Sequence, residues 1–203
     1  MQRVNRIAQR FDRHARNYDN PITAWLGVRE LRAVCKLVPE DCQVLDYGCG
    51  TGRTTLELMK RGCQVTAFDI SLEMLSIAQA KAIQHGFNAD FLSDAELLAG
   101  RTWPVITCIG VLDYYPDPVP LLRTLYQHLA PKGRLVVTFP NAINPIGWSF
   151  YLGSRFTVPA TPRTPGFVRR ACQRAGYQID NILFTLPSIS MIGYTMVLGL
   201  SMP

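Results

Sequence analysis

Short apolar runs alternate with amphipathic stretches through the middle of the chain. Such runs predict buried strands, because the strands of a parallel sheet are covered on both faces. The predicted strands are 43–46, 64–68, 89–92, 104–110 and 134–139. Predicted helices separate them at 54–61, at 71–85 and from Asp117 onward. This alternation indicates a parallel, doubly wound sheet with helices on both faces.

The two ends of the chain depart from this alternation. Helices with basic outer faces are predicted at 3–16 and 22–38, and residues 140–163, rich in proline and glycine, predict an irregular lid with at most one short helix. A helix over 164–175 precedes strands at 177–186 and 194–202, joined by a turn around Pro187–Gly193. Consecutive strands form an antiparallel hairpin, so the fold class is α/β with seven strands, mostly parallel, and an antiparallel final strand.

Composition limits the class of protein. Of 203 residues, 48% are hydrophobic and 18% charged, which excludes a disordered chain and a charge-rich coiled coil and fits a single domain over 1–203. The net charge of +6 divides into +5 over 1–36, −5 over 37–100 and +6 over 101–203. An acidic middle suits a cationic small ligand better than nucleic acid, and it leaves the basic ends for an anionic group.

The cysteines and the amino end indicate a cytoplasmic protein. None of the six cysteines has C-x-x-C spacing and the three histidines are scattered, so we expect reduced thiols and no metal site. The amino end is charged throughout and lacks the apolar core of a secretory signal.

The carboxyl end is nearly uncharged. The last 29 residues, from Ala175, contain one charged side chain, Asp180. Two buried strands are the simpler explanation, and a peripheral membrane or subunit contact is the alternative. No stretch of about 18 apolar residues predicts a transmembrane helix, and nothing indicates the oligomeric state.

A glycine-rich turn follows the first predicted strand, in Asp46-Tyr47-Gly48-Cys49-Gly50-Thr51-Gly52. Its G-x-G-x-G spacing differs from the dinucleotide fingerprint and from the phosphate-binding Walker loop. Asp46 would repel a pyrophosphate but suits a ligand with ammonium and sulfonium charges. Asp69 ends the next strand, where a carboxylate can accept hydrogen bonds from both ribose hydroxyls. Both acids are expected at the carboxyl edge of the sheet, where ligands of such folds bind.

Five segments, in order, resemble the class I S-adenosylmethionine-dependent methyltransferases, in particular the small, lid-bearing subgroup that methylates metabolites. They are DYGCGTG at 46–52, Asp69, Ser93-Asp94-Ala95, ITCIGVLDYYPDP at 106–118 and LAPKGRLVVTFPN at 129–141. The resemblance covers roughly residues 7–203 and implies a Rossmann-like fold with S-adenosylmethionine as cofactor. A diffuse likeness to magnesium-protoporphyrin and quinone-pathway methyltransferases is mostly shared by the whole subgroup. Trp103-Pro104 stands where many relatives have Phe-Asp.

The resemblance also implies site residues. The glycines would lie along the methionine part of the cofactor, Asp69 would hold the ribose, and Asp94 with the Ala95 backbone would meet the adenine. Asp46 would organise the turn and reach the cofactor's amino group through water. The complete cofactor set is Tyr18, Asp46, Gly48, Cys49, Gly50, Gly52, Asp69, Ile70, Met74, Asp94, Ala95, Ile109 and Gly110.

Candidates for catalysis follow the fourth strand, where many relatives carry histidines. Asp113 or Tyr114 would orient or deprotonate the methyl acceptor, and His14 on the first helix would enter the same cleft. Strand-end packing for the first two and a solvated helical position for His14 are the alternatives.

The resemblance divides the chain into four parts: a helical lid at 1–38, a cofactor-binding core at 39–140, an acceptor lid at 141–165, and a final helix and hairpin at 166–203. The two lids contain Trp25, Trp148, Phe150, Tyr151, Phe156, Arg155 and Arg163. These residues predict an apolar, partly anionic acceptor, and the resemblance implies a small molecule methylated on oxygen, carbon or a carboxyl group. An RNA or protein methyltransferase is the alternative, although no nucleic-acid partner is expected.

Overall fold

A seven-stranded sheet lies at the centre of the protein, in the order β3-β2-β1-β4-β5-β7-β6. The computed structural model describes residues 2–19, 21–185 and 195–203, and among these the side chains of 2–5 and 21–26 are not described. The strands are β1 Gln43–Tyr47, β2 Gln64–Phe68, β3 Asp90–Leu92, β4 Trp103–Cys108, β5 Leu129–Pro140, β6 Gln178–Thr185 and β7 Thr195–Ser201. β1 to β5 pair in parallel, and β7 lies antiparallel between β5 and β6. The predicted fold class is confirmed.

Helices cover both faces of the sheet. They are α1 Gln2–His14, α2 Pro21–Cys35, α3 Arg53–Lys60, α4 Leu72–Gln84, α5 Val119–Gln127, α6 Pro145–Ser154 and α7 Pro165–Arg174. Leu122 and Leu125 of α5 and Val168 of α7 pack on one face, and Val34 of α2 and Leu58 of α3 pack on the other. α5 and α7 bury apolar stripes because their apolar residues recur at helical spacing.

The structure corrects several predicted boundaries. β4 begins at Trp103 and ends at Cys108, which leaves Ile109 and Gly110 in the loop beyond the strand. β5 begins at Leu129, five residues before the predicted start of that strand at Arg134. Leu129 pairs with Trp103 and Arg134 with Val105, so β5 bulges by three residues opposite Pro104, whose missing N–H cannot join the ladder.

The nearly uncharged carboxyl end forms part of the sheet. Residues 195–200 of β7 are all buried, because the strand has a neighbour on each side and helices above and below. The predicted turn around Pro187–Gly193 lies outside the described residues. None of the described helices is long and apolar enough to cross a membrane.

Candidate functional site

The glycine turn joins β1 to α3 at the carboxyl edge of the sheet. The backbone N–H groups of Gly48 and Cys49 donate to the carbonyl oxygen of Phe68, at 2.6 and 3.0 Å, which ties the turn to the end of β2. Gly50 has a φ of +54°, and a Cβ built on it would meet no atom of the described residues within 4 Å. The turn therefore presents bare backbone to open space, as close approach of a ligand requires.

The two other glycines of the turn allow close packing inside the protein. A Cβ on Gly48 would lie 2.2 Å from Cγ2 of Val111, and one on Gly52 would lie 2.9 Å from Cβ of Ala78. Gly52 thus lets the start of α3 approach α4. The three glycines have different roles, and Gly50 is the one whose missing side chain leaves room for a ligand.

The carboxylate of Asp69 links the turn to α4. One oxygen accepts from the backbone N–H of Gly50 at 2.8 Å, and the other accepts from that of Ser71 at 2.9 Å. Burial raises the pKa of Asp69, and these two N–H groups oppose the shift. Each carboxylate oxygen keeps a further lone pair. Asp69 can therefore accept two more hydrogen bonds while its own position is held.

Asp46 is buried beneath the turn. Its two oxygens accept from the hydroxyls of Thr55 at 2.6 Å and Thr107 at 2.8 Å. Burial raises the pKa of Asp46 to about 6, and the two hydroxyls act against that shift. These bonds connect β1, α3 and β4 beneath the glycine turn. Its contact with a cofactor through water stays a prediction.

Two acidic residues fasten the first helical segment over this edge. Asp12 of α1 accepts from the hydroxyl of Ser71 at 2.5 Å. Asp19 accepts from the hydroxyl of Thr51 at 3.0 Å and from Nζ of Lys81 at 2.6 Å. We did not single out either acid from the sequence, because their partners lie 32 to 62 residues away.

A cavity, here called the strand-end cavity, lies between this segment and the turn. Most of the predicted cofactor residues line it. Its full lining is Ile7, Phe11, Tyr18, Tyr47, Gly48, Gly50, Phe68, Asp69, Ile70, Met74, Ile109, Gly110, Val111, Tyr114 and Tyr115. Ile7, Phe11 and His14 recur at helical spacing on α1, so their common face could have been recognised from the sequence.

Besides Asp46 and Gly52, three predicted cofactor residues do not line the strand-end cavity. The side chain of Cys49 is buried in the core beneath α2 and α3. Asp94 and Ala95 are exposed, and Asp94 accepts from the backbone N–H of Glu96 at 2.9 Å, capping the short 3₁₀ helix Ala95–Leu98. The structure gives Asp94 a capping role, and its contact with adenine stays a prediction.

A second cavity of about 590 Å³, here called the lid cavity, extends from the first beneath α6. All three predicted catalytic residues, His14, Asp113 and Tyr114, line it. The two cavities share Phe11, Tyr18, Ile109, Gly110 and Tyr114. They are therefore adjacent compartments, and the rings of Phe11 and Tyr114, which meet edge to face at 5.0 Å, line both.

Asp113 is the most unusual residue of the lid cavity. It is 1% exposed, and neither carboxyl oxygen accepts a hydrogen bond from any described residue. Burial holds its pKa well above the usual range, against the attraction of Arg163. The Arg163 guanidinium donates instead to the carbonyl oxygens of Tyr115 and Pro116. Asp113 therefore lies at the wall of the lid cavity with no hydrogen-bond partner among the described residues.

A second acid, Glu30 of α2, lines the same cavity and was missed from the sequence. It lies 3.8 Å from the guanidinium of Arg53, the first residue of α3. Burial raises the pKa of Glu30, and Arg53 opposes that change. An isolated glutamate in an amphipathic helix has no local pattern that separates it from a surface residue.

The aromatic residues predicted for the acceptor pocket separate into two groups. Phe150 lines the lid cavity, and Tyr151 is buried with its hydroxyl donating to the carbonyl oxygen of Pro140 at 2.6 Å. Trp148 and Phe156 point to solvent, as does Arg155. The side chain of Trp25 lies outside the described residues. Among the described residues, no group of three or more metal-binding side chains occurs.

Comparison with known proteins assigns the class. The methyltransferase-domain family matches residues 2–181. The ubiquinone biosynthesis O-methyltransferase of Xylella fastidiosa is 31% identical over 148 residues, 70% of this chain and 60% of that protein. Its counterpart in Xanthomonas axonopodis is 30% identical over 60% of this chain and 52% of that protein. The chain thus spans little more than half the length of these relatives.

Solved structures agree on the fold. A possible histamine N-methyltransferase of Thermotoga maritima superposes with a TM-score of 0.77 at 19% identity, over 97% of this chain and all of that one. The magnesium protoporphyrin IX methyltransferase of Synechocystis, with bound S-adenosylhomocysteine, has a TM-score of 0.70 at 22% identity, over 95% and 94% of the two chains. The chain belongs to the methyltransferase-domain family, and its recognition as a class I S-adenosylmethionine-dependent methyltransferase is confirmed.

Proposed function

We propose that the protein transfers the methyl group of S-adenosylmethionine to a hydroxyl oxygen of a small, largely apolar molecule held in the lid cavity. The observation on which this proposal depends is Asp113, a buried carboxyl group without a hydrogen-bond partner among the described residues, at the wall of that cavity. Native proteins rarely leave such a group unpaired, so a ligand hydroxyl is its natural partner.

The strand-end cavity suits the cofactor. Asp69 has free lone pairs for ribose hydroxyls, Ile70 and Met74 offer apolar surface, and the bare backbone of Gly50 leaves room for the methionine part. When bound, S-adenosylmethionine supplies a methyl group activated by its sulfonium charge. Buried carboxyl groups at Asp46 and Asp69 favour a cationic ligand, because a nearby positive charge offsets the cost of ionising them.

The lid cavity suits an acceptor with an apolar body. Phe11, Tyr18, Tyr114 and Phe150 line it, and aromatic rings bind apolar surface through burial and edge contacts. Asp113 has a pKa well above its usual range, so its ionised form is a stronger base than an ordinary carboxylate. It can accept the proton of a hydroxyl as that oxygen becomes the nucleophile.

The side chains of the lid cavity give less support for an anionic group on the methyl acceptor than for an apolar acceptor. Arg163 is buried and donates to backbone carbonyls, and Arg155 is exposed. Arg53 lines the cavity but faces Glu30. The relatives named for ubiquinone biosynthesis are O-methyltransferases, which agrees with oxygen as the methylated atom.

Two measurements test the proposal. Calorimetry with S-adenosylmethionine and S-adenosylhomocysteine tests the cofactor site, and Asp69→Ala is expected to abolish the heat of binding. A screen with radiolabelled cofactor and separate pools of phenols, carboxylic acids and RNA tests the acceptor. We expect transfer to the phenol pool, and transfer to RNA alone would contradict the proposal.

Asp113→Asn tests the role of the carboxyl group. The proposal expects kcat/KM to fall by about 10²-fold or more, the usual contribution of a general base. In the wild type, kcat/KM should rise with pH through the raised pKa of Asp113, and the variant should lose that rise. Asp117→Asn is the matched control, because Asp117 is exposed, lies in the same segment, and can keep its cap on α5 as an asparagine. Equal activity of the two variants would refute the role of Asp113.

A further inference from the structure

The surface around α6 exposes large apolar side chains. This surface, here called the α6 surface, consists of Ile143, Ile146, Trp148, Leu152 and Phe156. Phe156 is 89% exposed, Leu152 54% and Trp148 49%. Half of the exposed large hydrophobic residues in the described part of the chain fall within these 14 positions. Grouped exposure of this kind marks an interaction surface more often than isolated apolar residues do.

Basic side chains border the α6 surface on two sides. Arg155 is exposed between Leu152 and Phe156. On the other side, Arg6, Arg10 and Arg13 recur at spacings of four and three along α1, and Arg10 donates to the carbonyl oxygen of Thr157 at 3.3 Å. That contact places the arginine face of α1 directly beside the end of the α6 surface.

Acidic side chains are absent from the part of the sequence that builds this surface. Residues 118–179 contain no aspartate or glutamate. Asp12 of α1 lies on a different face of its helix from the arginines and accepts from Ser71. Apolar side chains bordered by arginines match the interface of an anionic bilayer, where rings and aliphatic chains enter the acyl boundary and cations meet the headgroups.

We propose that the α6 surface docks the protein on an anionic membrane. The same helix forms a wall of the lid cavity, through Ile146, Ser149, Phe150 and Gly153. Ile146 both lines the cavity and is exposed, so the cavity edge lies at the docking surface. The proposed membrane docking does not depend on the proposed methyl acceptor, since it rests only on the exposed apolar side chains and the arginines that border them.

A second copy of the chain is a less suitable partner for the α6 surface than a bilayer. In a symmetric dimer the same patch occurs on both subunits, so the arginines bordering the patch would be brought close to those of the other subunit. Like charges brought together in this way disfavour association. An anionic bilayer supplies the complementary charge.

Vesicle sedimentation with the purified full chain tests the proposal. We expect binding to phosphatidylcholine vesicles that contain phosphatidylglycerol, weaker binding to pure phosphatidylcholine, and a loss of the difference at high salt. Leu152→Glu combined with Phe156→Glu should weaken binding at least about tenfold, the loss expected for removing large apolar side chains from the interface. Phe156→Ser alone, at a position with almost no packing to lose, should weaken binding in the same direction.

Ile83→Glu combined with Leu97→Glu is the matched control. These residues are 68% and 54% exposed and lie on α4 and on the 3₁₀ helix after β3. The control pair should retain vesicle binding, and both pairs should bind S-adenosylmethionine like the wild type, which separates docking from the cofactor site. Emission of Trp148 should shift to shorter wavelength on anionic vesicles, and Trp148→Phe should remove that change.

Three results would overturn the proposal. The first is no binding to anionic vesicles, and the second is an equal loss of binding in the control pair. The third is a dimer in analytical ultracentrifugation that the Leu152 and Phe156 changes dissociate, which would assign the surface to a second copy of the chain.

Discussion

Gly50→Ala should separate the stability of the protein from its ability to bind the cofactor. Gly50 has a φ of +54°, a left-handed conformation that costs an alanine about 1–2 kcal/mol. Nothing lies within 4 Å of the added Cβ, so no packing clash adds to that cost. For a domain of this size we expect the midpoint of thermal unfolding to fall by roughly 2–8 °C.

The effect of this change on binding is expected to be larger than the effect on stability. The new methyl group enters the strand-end cavity where the methionine part of the cofactor would lie against the backbone. Forcing an extra methyl into a filled site costs about 1–3 kcal/mol, which lowers affinity roughly 5- to 150-fold. Calorimetric titration with S-adenosylmethionine measures this loss directly.

Gly86→Ala is the matched control. Gly86 has a φ of +73° and also has nothing within 4 Å of a Cβ, but it follows α4 on the surface, away from the cavity. Both variants should unfold at similar temperatures, and only Gly50→Ala should bind the cofactor poorly. Equal cofactor affinity of the two variants would refute the assignment of Gly50 to the ligand.

Two further predictions concern pH and the first helical segment. The pKa of Asp46 is about 6 in the folded protein and ordinarily 3.8, so between these values the folded state binds more protons and stability falls as pH rises. By pH 7 the ionisation of Asp46 lowers the free energy of unfolding by about 3 kcal/mol. The unfolding temperature of Asp46→Asn should therefore vary less across pH 4–7 than that of the wild type. An equal variation in the two proteins would contradict this prediction. Asp19→Asn removes the ion pair with Lys81 and should weaken cofactor binding a few-fold at low salt, with faster hydrogen exchange in α1. The difference from the wild type should disappear at high salt, whereas a loss that persists there would rule out an electrostatic cause.

Much of the sheet could be predicted from local sequence patterns. Short apolar runs marked β1, β2 and β4, and Ser71 marked the start of α4, where its hydroxyl accepts from the backbone N–H of Met74. These features depend on neighbours within a few residues, so periodicity and capping chemistry predict them. β5 was predicted too short because its first residue pairs across a bulge, which depends on Trp103 in another strand.

The sequence by itself determined the class of protein, through the glycine turn and the acids that end β1 and β2. These positions lie at strand ends, and every parallel strand brings its carboxyl end to the same edge of the sheet. Only the tertiary structure decided which residues face the two cavities. It left Asp113 without a hydrogen-bond partner in the described part of the chain and placed Glu30 beside Arg53, while Asp94 became a surface cap. It also buried β7, in line with the simpler explanation for the uncharged carboxyl end, and left exposed apolar side chains around α6. Burial depends on what packs on an element, and no short stretch of sequence contains that information.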